Sequence, residues 1–233
     1  MLLSCANRLL GLHGEGMRQA EEAWGICKRL GHAVGQAESL YCIALSLNGD
    51  DQLDAAEEAA LWAIELSSDQ GDESLICQCH RLLGIILYSK GETEKAANHF
   101  ETALGIASSF SWRNEQFWIH LNLARLFLDR ANFDAVHTHI KQCKSHTVDD
   151  AYKLGCVMRL QAYVWWRQCR LEEAKSEVSR AAEVFEKLGA GQDLERCRII
   201  LQDIQEEMSD LVATCEPDSD GEVPQTVAVY YAY

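Results

Sequence analysis

A short pattern of small and apolar residues recurs along this chain and limits the folds that it can adopt. Four segments, which begin at Leu53, Thr93, Phe133 and Leu171, place such residues at positions i, i+4 and i+7. This spacing puts the three residues on one face of an α-helix. The triples are Ala56–Ala60–Ala63, Ala96–Phe100–Ala103, Val136–Ile140–Cys143 and Ala174–Val178–Ala181, with a weaker first copy at Ala20–Trp24–Cys27. Because the copies start 36, 40, 40 and 38 residues apart, the sequence predicts a tandem array.

A second set of apolar stripes precedes these segments. The stripes are Leu40–Ile43–Ala44–Leu47, His80–Leu83–Gly84–Leu87, His120–Leu123–Ala124–Phe127 and Met158–Gln161–Ala162–Trp165. A short turn, such as Lys90–Glu92, separates each stripe from the segment that follows it. The only two prolines are Pro217 and Pro224, so nothing before them removes a backbone donor that a helix needs. The sequence therefore predicts an all-α fold built from helical hairpins.

The third copy carries a resemblance to a known family. It reads HRLLGIILYSKGETEKAANHFETAL from His80 to Leu104 and resembles the tetratricopeptide repeat (TPR). It differs in having His80 where the family usually has a bulky aromatic residue, and its spacing exceeds the roughly 34 residues of the family. The resemblance implies a right-handed α-solenoid of about five hairpins with a C-terminal capping helix. More weakly, the repeats resemble the C-terminal TPR arrays of fungal signalling proteins, which follow a NACHT or NB-ARC nucleotide-binding module.

The predicted boundaries follow from these patterns. The repeat array covers residues 1–208, with hairpins at about 1–32, 37–70, 77–110, 117–147 and 151–188 and a cap at 193–208. The first hairpin leaves Leu2, Leu3, Leu9 and Leu10 without cover, so we expect the chain to be the end of a longer array. Residues 209–233 are acidic and contain both prolines, and we expect them to form a disordered tail.

Charge and cysteine content narrow the partners and the compartment. The net charge is −15, which disfavours binding to nucleic acid or to anionic lipid, so we expect neither partner. The ten cysteines lie mostly at alanine-like positions, where a free thiol behaves as a small apolar residue. With no secretory signal and no long apolar run, a reducing cytoplasm is the expected location.

The sequence offers little support for a cofactor or for catalysis. On a helix, Cys77 with His80 or His139 with Cys143 could share a metal ion, but a structural zinc site usually needs four ligands. The glycine-rich stretch 11–16 lacks the Lys-Ser/Thr of a phosphate-binding loop and is interpreted as a turn. No nucleophile, base and orienting group stand out together. We therefore expect no cofactor and no enzymatic activity, with a helical enzyme domain as a remote alternative.

The resemblance also points to a binding surface. In TPR proteins a stripe beside the core face of each first helix lines a concave groove that contacts a peptide or a partner helix. The matching residues are Arg81, Tyr88, Trp118, Arg125, Arg159, Tyr163, Trp166 and Arg167. Arginine and aromatic residues favour interfaces, and arginine pairs well with carboxylates. The hypothesis is a groove for an acidic or carboxylate-bearing segment. The alternative is that these arginines pair with acids of adjacent repeats.

A protein-interaction scaffold is the function that these observations favour. The groove does not match the carboxylate clamp of chaperone-binding TPR proteins, because that clamp needs asparagine where this chain has Ile85, Arg125 and Tyr163. An alternative is the ligand-sensing or autoinhibitory region of a nucleotide-switched signalling protein. The acidic tail could also occupy the groove of its own chain.

Overall fold

The computed structural model describes residues 13–147 and 149–215, and every regular element in these ranges is an α-helix. The helices are α1 (His13–Arg29), α2 (Ala33–Gly49), α3 (Leu53–Gln70), α4 (Glu73–Ser89), α5 (Thr93–Ser109), α6 (Arg113–Asp129), α7 (Phe133–Ser145), α8 (Ala151–Arg167), α9 (Leu171–Lys187) and α10 (Gly191–Cys215). The chain forms two compact units, one ending at His146 and the other beginning at Thr147. The predicted all-α repeat fold is confirmed.

Consecutive helices pair as hairpins within each unit. The first unit contains α1 followed by the hairpins α2–α3, α4–α5 and α6–α7, and the second contains the hairpin α8–α9 followed by α10. We call the first helix of a hairpin the leading helix and the second the trailing helix. In the first unit each leading helix also packs against the trailing helix before it. In the second unit α10 packs on α9 in the same way, as the next leading helix would.

The small-residue triples form the centre of the packing. Every residue of the four strong triples is at most 3% exposed. Small side chains let neighbouring helices approach closely, and a few large rings, chiefly Phe100 and Phe185, fill the remaining space. In the weaker first copy only Ala20 is buried, whereas Trp24 and Cys27 are half-buried. The predicted core face is confirmed in all four strong copies.

The turns explain why a hairpin occupies 40 residues. Each turn of the first unit contains one residue with a positive φ, and these residues recur at intervals of 20 from residue 31 to residue 131. They are Gly31, Asp51, Gly71, Gly91, Ser111 and Ala131. Most of the helices between them have 17 residues, so the long spacing comes from long helices rather than long loops. The short helix α7, with 13 residues, is the exception.

Ion pairs at the same spacing link successive hairpins of the first unit. Lys90, directly after α4, donates to Asp54 and to Glu57 of α3, each at 2.7 Å. Arg130, directly after α6, donates to Glu94 of α5 at 2.7 Å. Asp54 and Glu94 lie in the first turns of α3 and α5, where acidic residues also favour the helix dipole. The acids at the helix starts therefore stabilise both their own helices and the stack.

Several predicted boundaries need correction. The hairpins predicted to begin at residues 37, 77 and 117 begin four residues earlier, because polar residues precede the apolar stripes. His32 and Asp72, for example, cap α2 and α4 by accepting hydrogen bonds from backbone amides. Residues 13–16, interpreted as part of a turn, form the first turn of α1.

The cap is longer than predicted. Helix α10 continues beyond Met208 to Cys215, so residues 209–215 are helical and do not belong to a disordered tail. Their acidic character does not stop a helix, since the first proline is Pro217. Residues 1–12 and 216–233, which include the four N-terminal leucines and the rest of the predicted tail, lie outside the described residues. None of the helices within the described ranges combines the length and the apolar character of a membrane span.

Candidate binding surface on the leading helices

In the first unit, two hydrogen bonds link the leading helices α4 and α6. The Nε of Arg81 donates to Oε2 of Glu115 at 3.0 Å, and both side chains are largely buried. Seven residues further along α4, the hydroxyl of Tyr88 donates to a carboxylate oxygen of Asp129. Burial and this hydrogen bond raise the pKa of Tyr88 to about 12, so the hydroxyl keeps its proton. Arg81 and Tyr88 therefore hold one leading helix against the next.

The second unit repeats this arrangement between α8 and α10. Nη1 of Arg159 donates to Oδ1 of Asp193 at 2.6 Å, and seven residues later Nε1 of Trp166 donates to Oε2 of Glu207 at 2.5 Å. The hydroxyl of Tyr152 donates to the other oxygen of Asp193 at 2.7 Å. The donor and acceptor are 34 and 41 residues apart in both units. An arginine followed by an aromatic donor is thus a repeated link between leading helices.

The ion pair of the second unit is the more buried of the two. Arg159 is 5% exposed and Asp193 is 7% exposed. Burial alone would raise the pKa of Asp193, but the hydrogen bonds from Arg159 and Tyr152 outweigh it and hold the pKa below its usual value. The Arg159 guanidinium also lies 5.3 Å from the ring centre of Phe185. A charge that is paired and enclosed in this way serves to position helices rather than to meet a ligand.

Two predicted site residues of the first unit lie elsewhere on α6. Arg125 is exposed, and its charge acts on the nearby Tyr88. Trp118 is half-buried and meets the ring of Phe117 edge-on, with the ring centres 4.9 Å apart. Because Trp118 and Arg125 are seven residues apart, they share one face of α6. This face presents an aromatic surface and a cation one turn beyond the Arg81–Glu115 link.

The second unit presents a more open cluster at the end of α8. Tyr163 is 37% exposed and stacks against Trp166, with the ring centres 5.9 Å apart and the ring planes 25° apart. Arg167 follows Trp166, is exposed, and makes no ion pair within the described part of the chain. The hydrogen bond to Glu207 fixes the indole of Trp166. The cluster therefore combines two ordered aromatic rings with a solvated arginine.

Sequence reasoning missed the acids that complete the links. Each lies on the next leading helix or on α10, and they are Glu115, Asp129, Asp193 and Glu207. Their signal is a constant separation from their donors, which is visible only once the length of a hairpin is known. The alternative that the arginines pair with acids of adjacent repeats describes Arg81 and Arg159. It does not describe Arg167.

The cysteine and histidine combinations considered for a metal have other partners. Cys77 donates to the carbonyl of Ala103 at 3.4 Å, and Cys143 donates to the carbonyl of Phe117 at 3.7 Å. Burial raises the pKa of Cys77 to about 11, which disfavours the thiolate that a metal would need. Among the described residues no three His, Cys, Asp or Glu side chains are placed to hold a metal ion together.

Comparison with known proteins agrees on the fold. Neither a protein-family model nor a curated protein matches the sequence. BtubC from P. vanneervenii is similar in structure, with a TM-score of 0.62 and 16% identity over 84% of this chain and 92% of that one. The TPR-like repeats of a kinesin light chain protein from Podosopora anserina give a TM-score of 0.56 and 12% identity over 80% of this chain and 93% of that one.

A third similar structure is a Rap protein in complex with competence and sporulation factor. Its TM-score is 0.65, with 15% identity over 89% of this chain. This chain spans 62% of the length of the Rap protein, which is less than two thirds. At such low identities these likenesses concern the fold, and they show that this chain has a TPR-like repeat fold.

Proposed function

We propose that this chain is a protein-interaction module that binds a peptide segment or a helix of another protein on the exposed face of its leading helices. The observation that carries the proposal is the cluster of Tyr163, Trp166 and Arg167. Stacked aromatic rings beside a solvated arginine have the composition of interface hot spots. Their side chains are already ordered, so binding would cost little conformational entropy.

The fold supports this function. An array of helical hairpins buries its core between helices and leaves the outer side chains of each helix free to vary. One similar structure, the Rap protein, was solved in complex with competence and sporulation factor. In the present chain the hydrogen bonds between leading helices fix the spacing of their outer faces, which is the condition for binding an extended ligand along them.

We further propose that the partner segment is acidic or ends in a carboxylate. Arg125 and Arg167 are the exposed cations of the predicted site, and a guanidinium can form two parallel hydrogen bonds to a carboxylate. Arg81 and Arg159 are proposed to act as positioning residues, since Glu115 and Asp193 already occupy them. The ligand contacts are therefore a subset of the residues that the sequence pattern selects.

A phage-displayed library of random 12-residue peptides, panned on the full chain, tests the proposal. We expect enriched peptides to carry more Asp and Glu than the unselected library. Fluorescence anisotropy with the strongest labelled peptide should then show at least a tenfold loss of affinity in Tyr163→Ala and in Arg167→Ala, because a hot-spot side chain contributes about 1.4 kcal/mol or more. Arg125→Ala should weaken binding by a smaller factor, since Trp118 beside it is only partly accessible.

The matched control is Arg180→Ala, which removes an exposed arginine from the trailing helix α9. It should leave the affinity within a factor of two. If Arg180→Ala weakens binding as much as Arg167→Ala, attraction is a general charge effect and the proposed surface is wrong. Enrichment of basic peptides would refute the acidic partner while leaving the surface to be judged by Tyr163→Ala.

A further inference from the structure

Two histidine pairs occupy the same place in consecutive hairpins. Nδ1 of His80 on α4 lies 2.9 Å from Nδ1 of His99 on α5, and Nδ1 of His120 on α6 lies 3.0 Å from Nδ1 of His139 on α7. In both pairs the ring centres are 5.2 Å apart. Each pair joins the leading helix of a hairpin to its trailing helix, and the second pair follows the first after 40 residues.

This geometry sets a limit on how many protons a pair can hold. Two facing Nδ1 atoms form a hydrogen bond only if one carries a proton and the other does not. A first additional proton can bind at an outer Nε2 atom and leave the bond intact. A second must bind at the accepting Nδ1, where it would place two donors and two positive charges face to face. The doubly protonated pair is therefore incompatible with the observed contact.

The surroundings of the pairs favour the neutral state. Burial is the main cause that lowers the pKa of all four imidazoles, and that of His120 falls to about 4. Within a pair, the charge of the partner lowers the pKa of His80 and of His120 further.

The neighbouring charged groups act more weakly and in both directions. Glu57 of α3 faces His99 and raises its pKa, although Glu57 is itself bound by Lys90. Glu101 of α5 faces His139 and acts in the same direction. His146, at the end of α7, opposes a charge on His120. The ring of Phe127 stacks on His139, with the ring centres 5.4 Å apart, and adds no charge.

The other hairpins hold apolar residues at the leading-helix position. The residue that corresponds to His80 and His120 is Leu40 in α2 and Met158 in α8. Residues 147–233 contain no histidine, so the second unit has no imidazole to protonate. The pairs therefore distinguish the segment α4–α7 from α8–α10, and this difference provides an internal reference.

We propose that the two histidine pairs act as a proton-sensitive latch that closes the hairpins α4–α5 and α6–α7 at neutral pH and releases both of them on acidification. With a second proton on each pair, the imidazoles separate and the leading and trailing helices lose a contact that joins them. The helices of the second unit keep their packing over the same pH range. The latch is a property of the hairpins and does not depend on the proposed partner.

The pH window follows from the direction of the shifts. These histidines have a folded-state pKa below the unfolded value of about 6.5, so the stabilisation is complete above that value and is lost as the pH falls toward the folded pKa. For His120, whose folded pKa is about 4, the unfolding equilibrium constant should rise roughly thirtyfold between pH 8 and pH 5. The other three histidines act in the same direction.

Hydrogen exchange of the full chain, followed by mass spectrometry at pH 7.5 and pH 5.0 and corrected for the intrinsic rates, tests the latch. We expect peptides from α4–α7 to lose at least tenfold in protection on acidification, whereas peptides from α8–α10 keep theirs. The double variant His80→Gln and His120→Gln should lose most of this pH dependence, because a glutamine amide can either donate to a neutral imidazole or accept from a protonated one. His137→Gln, which replaces an exposed histidine of α7, should behave as the unaltered chain.

Imidazole ¹⁵N chemical shifts of the unaltered chain provide a second test that does not depend on the folding of a variant. At pH 7.5 each pair should contain one Nδ1–H imidazole and one with a bare Nδ1, and this pattern should disappear by pH 5 or below as protection is lost. Equal loss of protection in α8–α10, an unchanged pH dependence in the glutamine variant, or a bare Nδ1 missing from both pairs at pH 7.5 would each overturn the proposal.

Discussion

Replacing Gly84 with alanine tests the close approach of helices on which the repeat depends. A Cβ at this position of α4 would lie 2.5, 2.6 and 2.8 Å from three ring atoms of Phe100 on α5. Phe100 is 1% exposed, so its ring has little room to move away. Overpacking of this kind costs about 1–3 kcal/mol, whereas alanine gains about 1 kcal/mol over glycine inside a helix. We expect Gly84→Ala to lower the free energy of unfolding by about 1 kcal/mol.

The control lies in the same hairpin. A Cβ at Gly105 of α5 would meet nothing within 4 Å, so Gly105→Ala should show only the gain in helix propensity and raise the free energy of unfolding by about 1 kcal/mol. The two glycine-to-alanine variants should therefore differ by about 2 kcal/mol in opposite directions. Urea-induced unfolding followed by far-UV circular dichroism measures both on the same transition.

A double-mutant cycle identifies the cause. Phe100→Leu removes the ring that the new methyl group would strike, so in combination with Gly84→Ala it should recover more than about 0.5 kcal/mol relative to the sum of the single changes. Stabilisation by Gly84→Ala equal to that of Gly105→Ala, with no coupling to residue 100, would refute the argument that this crossing needs a glycine.

Two further predictions concern the buried ion pair and the turns. Asp193→Ala should lower the free energy of unfolding by about 3–5 kcal/mol in urea denaturation, because it leaves the buried Arg159 charge without its carboxylate; a loss below about 1 kcal/mol would contradict this role. Ala131→Gly should raise the midpoint of thermal unfolding through a gain of about 0.5–1 kcal/mol, since Ala131 has a φ of 53° that alanine disfavours. Gly91→Ala, in the matching turn, should lower the midpoint, and the same sign for both changes would refute the backbone argument.

The repeat could be predicted from the sequence because its core positions tolerate few side chains. Two helices that cross closely need small residues at the contact, so Ala60 and Ala103 mark a helical face even without knowledge of its neighbour. The helix starts were less accessible to prediction. Asp72 caps α4 through a local hydrogen bond that leaves no apolar pattern, and the predicted start of this hairpin is therefore late.

The candidate site was only partly predictable, for a different physical reason. Helical periodicity assigns Arg81 and Arg167 to an outer face, but it does not say what the neighbouring helix presents to that face. The difference depends on the next leading helix, which places Glu115 against Arg81. Arg167, at the end of α8, has no acid in an ion pair with it among the described residues.

The histidine pairs show the same limit. His80 stands out in the sequence as a departure from an aromatic position, yet its partner His99 is identified only by the closure of the hairpin. The available signal was the joint recurrence of both histidines after 40 residues, at His120 and His139. A recurrence of two positions together indicates a contact between them, which neither position indicates alone.

Comparison of the copies separates the residues that build the array from those that could give it specificity. The equivalent positions 84, 124 and 162 hold Gly, Ala and Ala, all buried, because the helix crossing admits nothing larger. The next position in each leading helix holds Ile85, Arg125 and Tyr163, which share neither size nor charge. Packing therefore constrains one position and releases its neighbour, so each hairpin can present a different side chain without changing the stack. On this reasoning the ligand preference of each unit resides in these variable positions and in the residues one turn beyond them.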